Sequence, residues 1–438
     1  MPRISLGFAM FGSIDRDLPS AAGWNAVIER LLAAARPAVA AASAQIPTEH
    51  PLPRSPEMAV TDANDVDRIM EIAQANTNAD ELIHAVEDNA DAIFTWGYDK
   101  GERAKLDKLY EKAKTSQWNG TTDLDWSIEV DPYTALDLSL ERGLMGDFDQ
   151  DPNSPVAKWG DKEWEEFGLQ SIKWRLSQFM HGEQGALLCT AKIVETVPWI
   201  DAKYYAATQV VDEARHVEVF ARYLDEKLDG GYPVNPHLGL LLDDIINDSR
   251  WDMTYLGMQI MVEGLALAAF GFMHDVTTEP LLKKLLRYVM SDEARHVAFG
   301  VLSLQEVYAE MSHAEIRERQ EFAFEAALRM RDRFLQQEVW EHMGVDTRRM
   351  VELLLNAPEE SKVFQRMLFS KIVPNCRKLG LLDAGDGWLR DRFTDIGVIE
   401  FEHFEDTGSE FLDYDLEEGD FEGKSAEKAE AAAAAALQ

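Results

Sequence analysis

One hexapeptide occurs twice in this chain, as Asp212-Glu213-Ala214-Arg215-His216-Val217 and, 80 residues later, as Asp292-Glu293-Ala294-Arg295-His296-Val297. Each copy holds a Glu-x-x-His. Residues three apart on a helix share a face, so each copy can present a carboxylate and an imidazole in one direction. Thirty residues before Glu213 stands Glu183, and thirty before Glu293 stands Glu263. The doubled set is Glu183, Glu213 and His216 with Glu263, Glu293 and His296. Four carboxylates offset the charge of two divalent ions, and oxygen donors with imidazole suit iron or manganese. Without metal, four facing carboxylates in an apolar setting repel one another and are driven to protonate. The plainer alternative is two unrelated surface helices with salt-bridged Glu and Arg. It must treat the doubled spacing as coincidence.

Such a set needs elements that bring its members level. The midpoint of Glu183 and Glu213 is Pro198, and that of Glu263 and Glu293 is Thr278, within Thr277-Thr278-Glu279-Pro280. Proline breaks helices, so each unit is expected to be a helical hairpin closed near its centre. About fifteen residues down one arm and fifteen back is roughly 22 Å each way. Two hairpins then make an all-α, ferritin-like four-helix bundle with flanking helices. In that arrangement two helices each give a Glu and the other two each give a Glu-x-x-His.

The ligand faces read as buried. Leu176, Phe179, Ala186, Leu187 and Thr190 surround Glu183, and Ala206, Val210, Val217 and Phe220 surround Glu213. Leu256, Ile260, Leu267 and Phe270 flank Glu263, and Leu286, Val289, Val297 and Gly300 flank Glu293. Apolar stripes at helical spacing mean core, and the ionisable groups embedded in them are the informative exceptions. Ala186, Leu187, Thr190, Phe220, Ala266, Leu267, Phe270 and Gly300 are the expected lining of a substrate pocket. Asp212 and Asp292 lie four residues before their histidines. A metal-bound His needs a partner for its second ring nitrogen, and these aspartates are expected to serve, paired in turn by Arg215 and Arg295. Ordinary ion pairs on a helix surface are the alternative.

With these motifs, residues 161–312 resemble the di-iron carboxylate oxidase superfamily. Its members include ribonucleotide reductase small subunits, bacterial multicomponent monooxygenase hydroxylases, acyl-carrier-protein desaturases and p-aminobenzoate N-oxygenases. The resemblance implies a dinuclear centre of two iron ions, or a manganese–iron pair, that activates O2. It also implies an external electron donor (a ferredoxin or reductase) and a homodimer. Leu109 to Trp126, with Gln117-Trp118-Asn119, is similar to the segment leading into the bundle of such oxidases. Three positions depart from the named subfamilies. Phe220 stands where ribonucleotide reductase small subunits usually have a radical Tyr, although Phe occurs there in a manganese–iron subclass. Ala266 and Leu267 replace the Thr of the hydroxylases. Val289 replaces the extra His of the N-oxygenases.

The chain has 438 residues, 46% of them apolar, enough for a large core. Its 43 basic and 79 acidic residues leave a net charge of −36, which excludes nucleic-acid binding as a primary role. Two cysteines, Cys189 and Cys376, fit a reducing, cytoplasmic setting and buried packing roles. No apolar run approaches a membrane span, and Ile4–Phe11 lacks a cleavage site, so it is read as no signal sequence.

Four regions are expected. Residues 1–130 form an N-terminal helical region and lead-in, with helices at Trp24–Ala42 and from a cap at Thr61-Asp62. Thr121–Pro155 wraps the bundle irregularly, and 161–312 is the duplicated bundle. Residues 313–395 are C-terminal helices, long through 313–343 and 347–378. Residues 396–438 form an acidic tail. Glu400 to Glu422 holds eleven acidic residues and no Lys or Arg, interleaved with aromatics, which reads as a disordered tail or a docking strip. Trp174, nine residues before Glu183, is read as core.

Three functions follow from different classes. The first is a dioxygen-activating non-haem di-iron oxygenase or oxidase acting on a small, largely apolar organic substrate by hydroxylation, desaturation or N-oxygenation. The second is a ferroxidase or iron store, against which about 280 residues beyond the bundle argue. The third is a radical-generating subunit docking through its tail, against which Phe220 argues.

Overall fold

The computed structural model describes residues 62–74, 99–134, 151–357 and 363–404, with a few positions within 86–96 and Thr407. The expected helix at Trp24–Ala42, the Thr61 half of the cap, residues 135–150 of the wrap and the tail beyond 407 lie outside them. The described residues are helical, with no strand among them. All fall within one compact unit, Pro51–Gln438.

Two short helices, α1 (Val66–Gln74) and α2 (Ala104–Thr115), precede the bundle. Its first hairpin is α3 (Asp161–Thr196) and α4 (Ile200–Leu228). The turn between them holds Pro198, as the midpoint required. The second hairpin follows α5 (Pro236–Asn247) and comprises α6 (Trp251–Val276) and α7 (Pro280–Tyr308). Its turn is built by Glu279, whose carboxylate accepts from the backbone N–H of Leu281 (2.8 Å) and Leu282 (2.6 Å) ahead of Pro280 in the first turn. A side chain that caps free amides and a proline that lacks one start a helix cleanly. The Tyr223 hydroxyl donates to the same carboxylate at 2.8 Å, tying the second turn to the first hairpin.

Within α6, Leu256–Val262 is a π-helical segment that ends at Glu263. The corresponding stretch of α3 is ordinary α-helix, so the two repeats differ in backbone at the turn before their first carboxylate. This segment is buried throughout. Gly300 on α7 lets it approach: a Cβ there would lie 2.6 Å from Gln259 Cβ. The 26-residue α6 corrects the expectation that no apolar stretch reaches membrane-spanning length. It passes by length and composition, yet 78% of its apolar window is buried in the core, and it carries Glu263.

After the bundle come α8 (His313–Arg333), opened by a Ser312–Glu315 capping box, and α9 (Gln337–His342). The long helices expected over 313–343 and 347–378 are broken. The first stops at Arg333, and Gln336 takes a left-handed φ of 53°. The second is three pieces, α10 (Thr347–Leu355), α11 (Val363–Met367) and α12 (Ile372–Lys378). Pro374, with no N–H to give, sits in the first turn of the last piece, where none is needed. Helix α8 packs on α5 and on the π segment, bringing its last turn to the bundle. Trp174 is buried, as expected, and donates to Glu338 at 2.9 Å. Both cysteines are free and buried.

Candidate metal centre

The six residues of the doubled set converge. Glu183, Glu213, His216 and Glu293 bring ligating atoms within 4.8 Å of one another, and Glu213, Glu263 and His296 form a second such group. None is more than 5% exposed. His216 Nδ1 lies 3.1 Å from both Glu183 Oε2 and Glu293 Oε1. His296 Nδ1 lies 3.1 Å from Glu213 Oε1 and 3.5 Å from Glu293 Oε1. Glu213 and Glu293 therefore reach both imidazoles, while Glu183 and Glu263 stand at opposite ends.

The second ring nitrogens point away from this cluster, and their partners correct the sequence reading. His216 Nε2 meets Asp292 Oδ2 at 3.1 Å, and His296 Nε2 meets Asp212 Oδ2 at 3.4 Å. Each histidine is held by the aspartate of the other repeat, not by the one four residues before it. A ring whose Nδ1 faces the bundle axis carries Nε2 sideways to the facing helix, rather than back along its own. The arginines lock this exchange. Arg215 Nη2 donates to Asp212 (2.5 Å) and Asp292 (2.9 Å), and Arg295 Nη2 donates to Asp292 and, at 3.5 Å, to Asp212. The lead-in segment closes the network. Gln117 Nε2 donates to Asp212 at 2.9 Å and Trp118 Nε1 to Asp292 at 2.8 Å.

Sequence reasoning missed Gln209. Its amide Nε2 donates to Glu213 Oε1 (2.9 Å) and Glu263 Oε1 (3.0 Å) from one turn before Glu213. The matching position of the other repeat is Val289, so only one end of the cluster has such a donor.

Protonation reflects this crowding. Burial, then the charges of neighbouring glutamates, push Glu183 and Glu263 well above the carboxylate range. Burial opposes charge on the imidazoles, but Glu183 and Asp292 outweigh it at His216, and Glu213 and Glu293 at His296. Both are held well above the ordinary value. At Glu213 burial is outweighed by His296 and His216, and at Asp292 by Arg295 and His216, so both sit low.

The donor set fits a pair of divalent metal ions. Glu213 Oε2, Glu263 Oε2, both carboxylate oxygens of Glu293 and His296 Nδ1 are buried without a hydrogen-bond partner. Orphaned atoms of this kind are costly unless something binds them. A cavity of about 20 Å³ opens on the cluster, lined by Phe179, Ala186, Ala266, Phe270 and Arg333 among others. That is room for roughly one water-sized molecule. Of the eight expected lining residues, Ala186, Ala266 and Phe270 line it. Leu187, Thr190, Phe220, Leu267 and Gly300 do not. Phe220 packs behind Phe179 and Phe270, with ring centroids 6.2 and 5.7 Å away, and Gly300 backs onto Gln259. Leu187 is only half-buried on the outer side of its helix.

Residues 192–380 match the family model of the P-aminobenzoate N-oxygenase AurF. By that match the chain is similar to the ferritin-like di-metal carboxylate oxidases. It is an oxidoreductase of the oxygenase or oxidase type with a dinuclear metal centre. Among solved structures it is similar to an R2-like ligand-binding oxidase with an aerobically reconstituted metal cofactor after photoconversion. That match has 17% identity and a TM-score of 0.41, covering 64% of this chain and 98% of the other. A tyrosine-to-phenylalanine variant of that oxidase, with an aerobically reconstituted Mn/Fe cofactor, matches at 17% identity and a TM-score of 0.40, covering 62% and 98%. Among curated proteins no match is found.

Proposed function

We propose that this protein is a dioxygen-activating di-iron enzyme oxidising a small, largely apolar organic molecule, with Glu183, Glu213, His216, Glu263, Glu293 and His296 as its metal ligands. The observation that carries this reading is the set of buried donor atoms with no hydrogen-bond partner, converging at one level of the bundle. Glu183 and His216 would help hold one ion and Glu263 and His296 the other, with Glu213 and Glu293, each within reach of both imidazoles, completing the donor set. Iron, when bound, supplies the oxygen chemistry and the electron transfer.

The chain's own residues hold, orient and dry the centre. Asp212, Asp292, Arg215 and Arg295 fix each imidazole with Nδ1 inward and a proton on Nε2. Phe179, Phe270 and Ala266 exclude water from the cavity, which favours an apolar group beside the metals. A substrate larger than a water molecule must displace these side chains. N-oxygenation, the reaction in the name of the matched family, stands with hydroxylation and desaturation as the reaction type. We assign the electrons to a ferredoxin or reductase and the protein to the cytoplasm as a homodimer, with 161–312 as the working unit.

Two other readings have less support. A radical-generating subunit would need an oxidisable residue at Phe220. A manganese–iron pair would suit the same donors. An iron store needs a polar exit route, and the stripes here are apolar. The test is elemental analysis of protein loaded with ferrous iron in air. About two irons per chain, not rising with excess iron, is expected. Uptake of tens of irons per chain would establish a store instead.

A further inference from the structure

A chain of touching aromatic rings leads from the metal centre to the surface, apart from the network that holds the histidines. Tyr205 on α4 stands eight residues before Glu213, and Tyr255 on α6 eight before Glu263. Tyr205 is one of the groups that act electrostatically on His296. Its ring packs on Phe299 of α7 with centroids 4.4 Å apart, and Phe299 packs on Tyr255 at 5.0 Å. Tyr255 packs on Trp251 at 5.6 Å, and Trp251 on Trp199 at 5.3 Å. The first three rings are fully buried. The two tryptophans are half-buried, one at the first residue of α6 and the other just before α4.

Rings in contact let an electron cross a protein in short steps. A ring keeps the hole left behind only if it oxidises readily and its proton has somewhere to go. Phe299 is the hardest of the five to oxidise. Burial raises both phenols above their ordinary value, and the Tyr205 hydroxyl has no hydrogen-bond partner to take its proton. Trp199 lies under the Arg103 guanidinium at 3.9 Å. Trp118, the other aromatic ring against the centre, stacks on His216 and lies under Arg215 at 4.6 Å. A cation that is drawn to an electron-rich face opposes positive charge in that ring. Among the described residues Trp251 has no cation over it, and it reaches solvent.

We propose that Trp251 is the discharge site of the di-metal centre. When the oxidised centre has no substrate, Trp251 gives it one electron across Tyr255, Phe299 and Tyr205. The indole releases its N–H proton to solvent as the electron leaves, and the centre is reduced by one electron. The neutral indolyl radical takes one electron and one proton back from a soluble thiol, and two thiols so oxidised join as a disulfide. The cavity at the metals has a volume of only about 20 Å³, so an idle oxidised centre is enclosed by its own ligands, Phe179 and Phe270. A route outward spares them. The inference rests on the di-metal reading, which supplies the oxidant.

The test mixes ferrous-loaded protein with O2, without substrate or thiol, and follows it by freeze-quench electron paramagnetic resonance. The wild type should give a transient radical whose lines narrow when its tryptophans, and not its tyrosines, are ring-deuterated. Coupling to the irons should be weak, because three rings separate Trp251 from the ligands; a radical on Trp118, beside His216, is strongly broadened. Trp251→Phe should abolish the signal at the wild-type iron count, Trp118→Phe should leave it, and added thiol should shorten its life. A signal that persists in Trp251→Phe, vanishes in Trp118→Phe with iron retained, or ignores tryptophan deuteration overturns the inference. So does the absence of any radical from wild-type protein carrying two irons. Should Trp251→Phe not fold, the deuteration and coupling in the wild type, with Trp118→Phe, decide the matter. Iron analysis of the same samples tests the di-metal reading separately: wild-type protein without two irons sinks that reading and the inference with it, whereas two irons without the radical sink the inference alone.

Discussion

His216 Nε2 lies 3.1 Å from Asp292, an aspartate 76 residues away on the other repeat, and not beside Asp212 on its own helix. The two halves of the duplication are thus interlocked at each histidine. Each of the two histidines is oriented by an aspartate of the other hairpin, so neither hairpin can fix its own imidazole alone.

A double-mutant cycle checks this pairing. Asp292→Asn should weaken metal binding about 10–100-fold, as changes behind a ligand do. Its effect should be largely lost in a His216→Ala background and persist in full in a His296→Ala background. Asp212→Asn should show the reverse. Coupling of each aspartate to the histidine of its own hexapeptide would contradict the geometry.

Gly300 is a close contact inside the second hairpin, between α7 and the π segment of α6. A methyl group there meets Gln259 Cβ at 2.6 Å and Ile260 Cδ1 at 3.2 Å. The first of these atoms is fixed to backbone, so relief requires helix α6 to shift. Gly300→Ala should cost about 1–3 kcal/mol, the usual penalty of overpacking. A fall in the urea midpoint with unchanged slope is the expected result, with loss of metal affinity because Gln259 sits one turn from Glu263. An unchanged midpoint would mean the two helices part easily.

How far the sequence revealed this site depends on which residues are asked about. The doubled spacing of Glu183, Glu213 and His216 was legible because a helix turns identical intervals into identical faces, and Pro198 and Pro280 mark where each hairpin turns. The π segment was not. Leu256–Val262 is buried on every side, so no apolar period exists there to show a change of pitch. The crossed aspartates were hidden because the i, i+4 rule describes one helix and says nothing about its neighbour. Arg333 follows Arg329 and Arg331 in the last turn of an amphipathic helix, where basic residues ordinarily face solvent. Only the packing of α8 on the bundle turns it inward.

The metal-free protein should respond to pH in a definite direction. His216 and His296 are held above their ordinary value, and Glu183 and Glu263 above theirs. The folded state therefore keeps protons that the unfolded chain gives up. For the histidines this stabilisation is complete below about pH 6.5 and is lost as the pH climbs through the raised folded values. The glutamates act in the same sense, from a lower starting pH. The melting temperature of the metal-free protein should fall between pH 6 and pH 8.5. Metal uptake should release protons, and its affinity should rise over the same interval. A metal-free melting temperature that rises with pH would contradict these protonation states.

The last prediction concerns the one-sided amide. Gln209 donates to Glu213 and Glu263 at once, and Val289 occupies the matching place in the other repeat. Gln209→Leu keeps the volume but removes a donor shared by two buried carboxylates. In the metal-free protein this should cost about 1.5–3 kcal/mol, the range for a hydrogen bond to a charged group. It should also weaken the ion held by Glu263 and His296 more than the one held by Glu183 and His216, so that two binding steps separate in a metal titration. Val289→Ala serves as the control, because it removes packing without touching a donor. It should lower stability but leave the two steps together. If both variants alter the titration alike, Gln209 only fills space, and the inequality of the two ends must arise from the π segment beside Glu263.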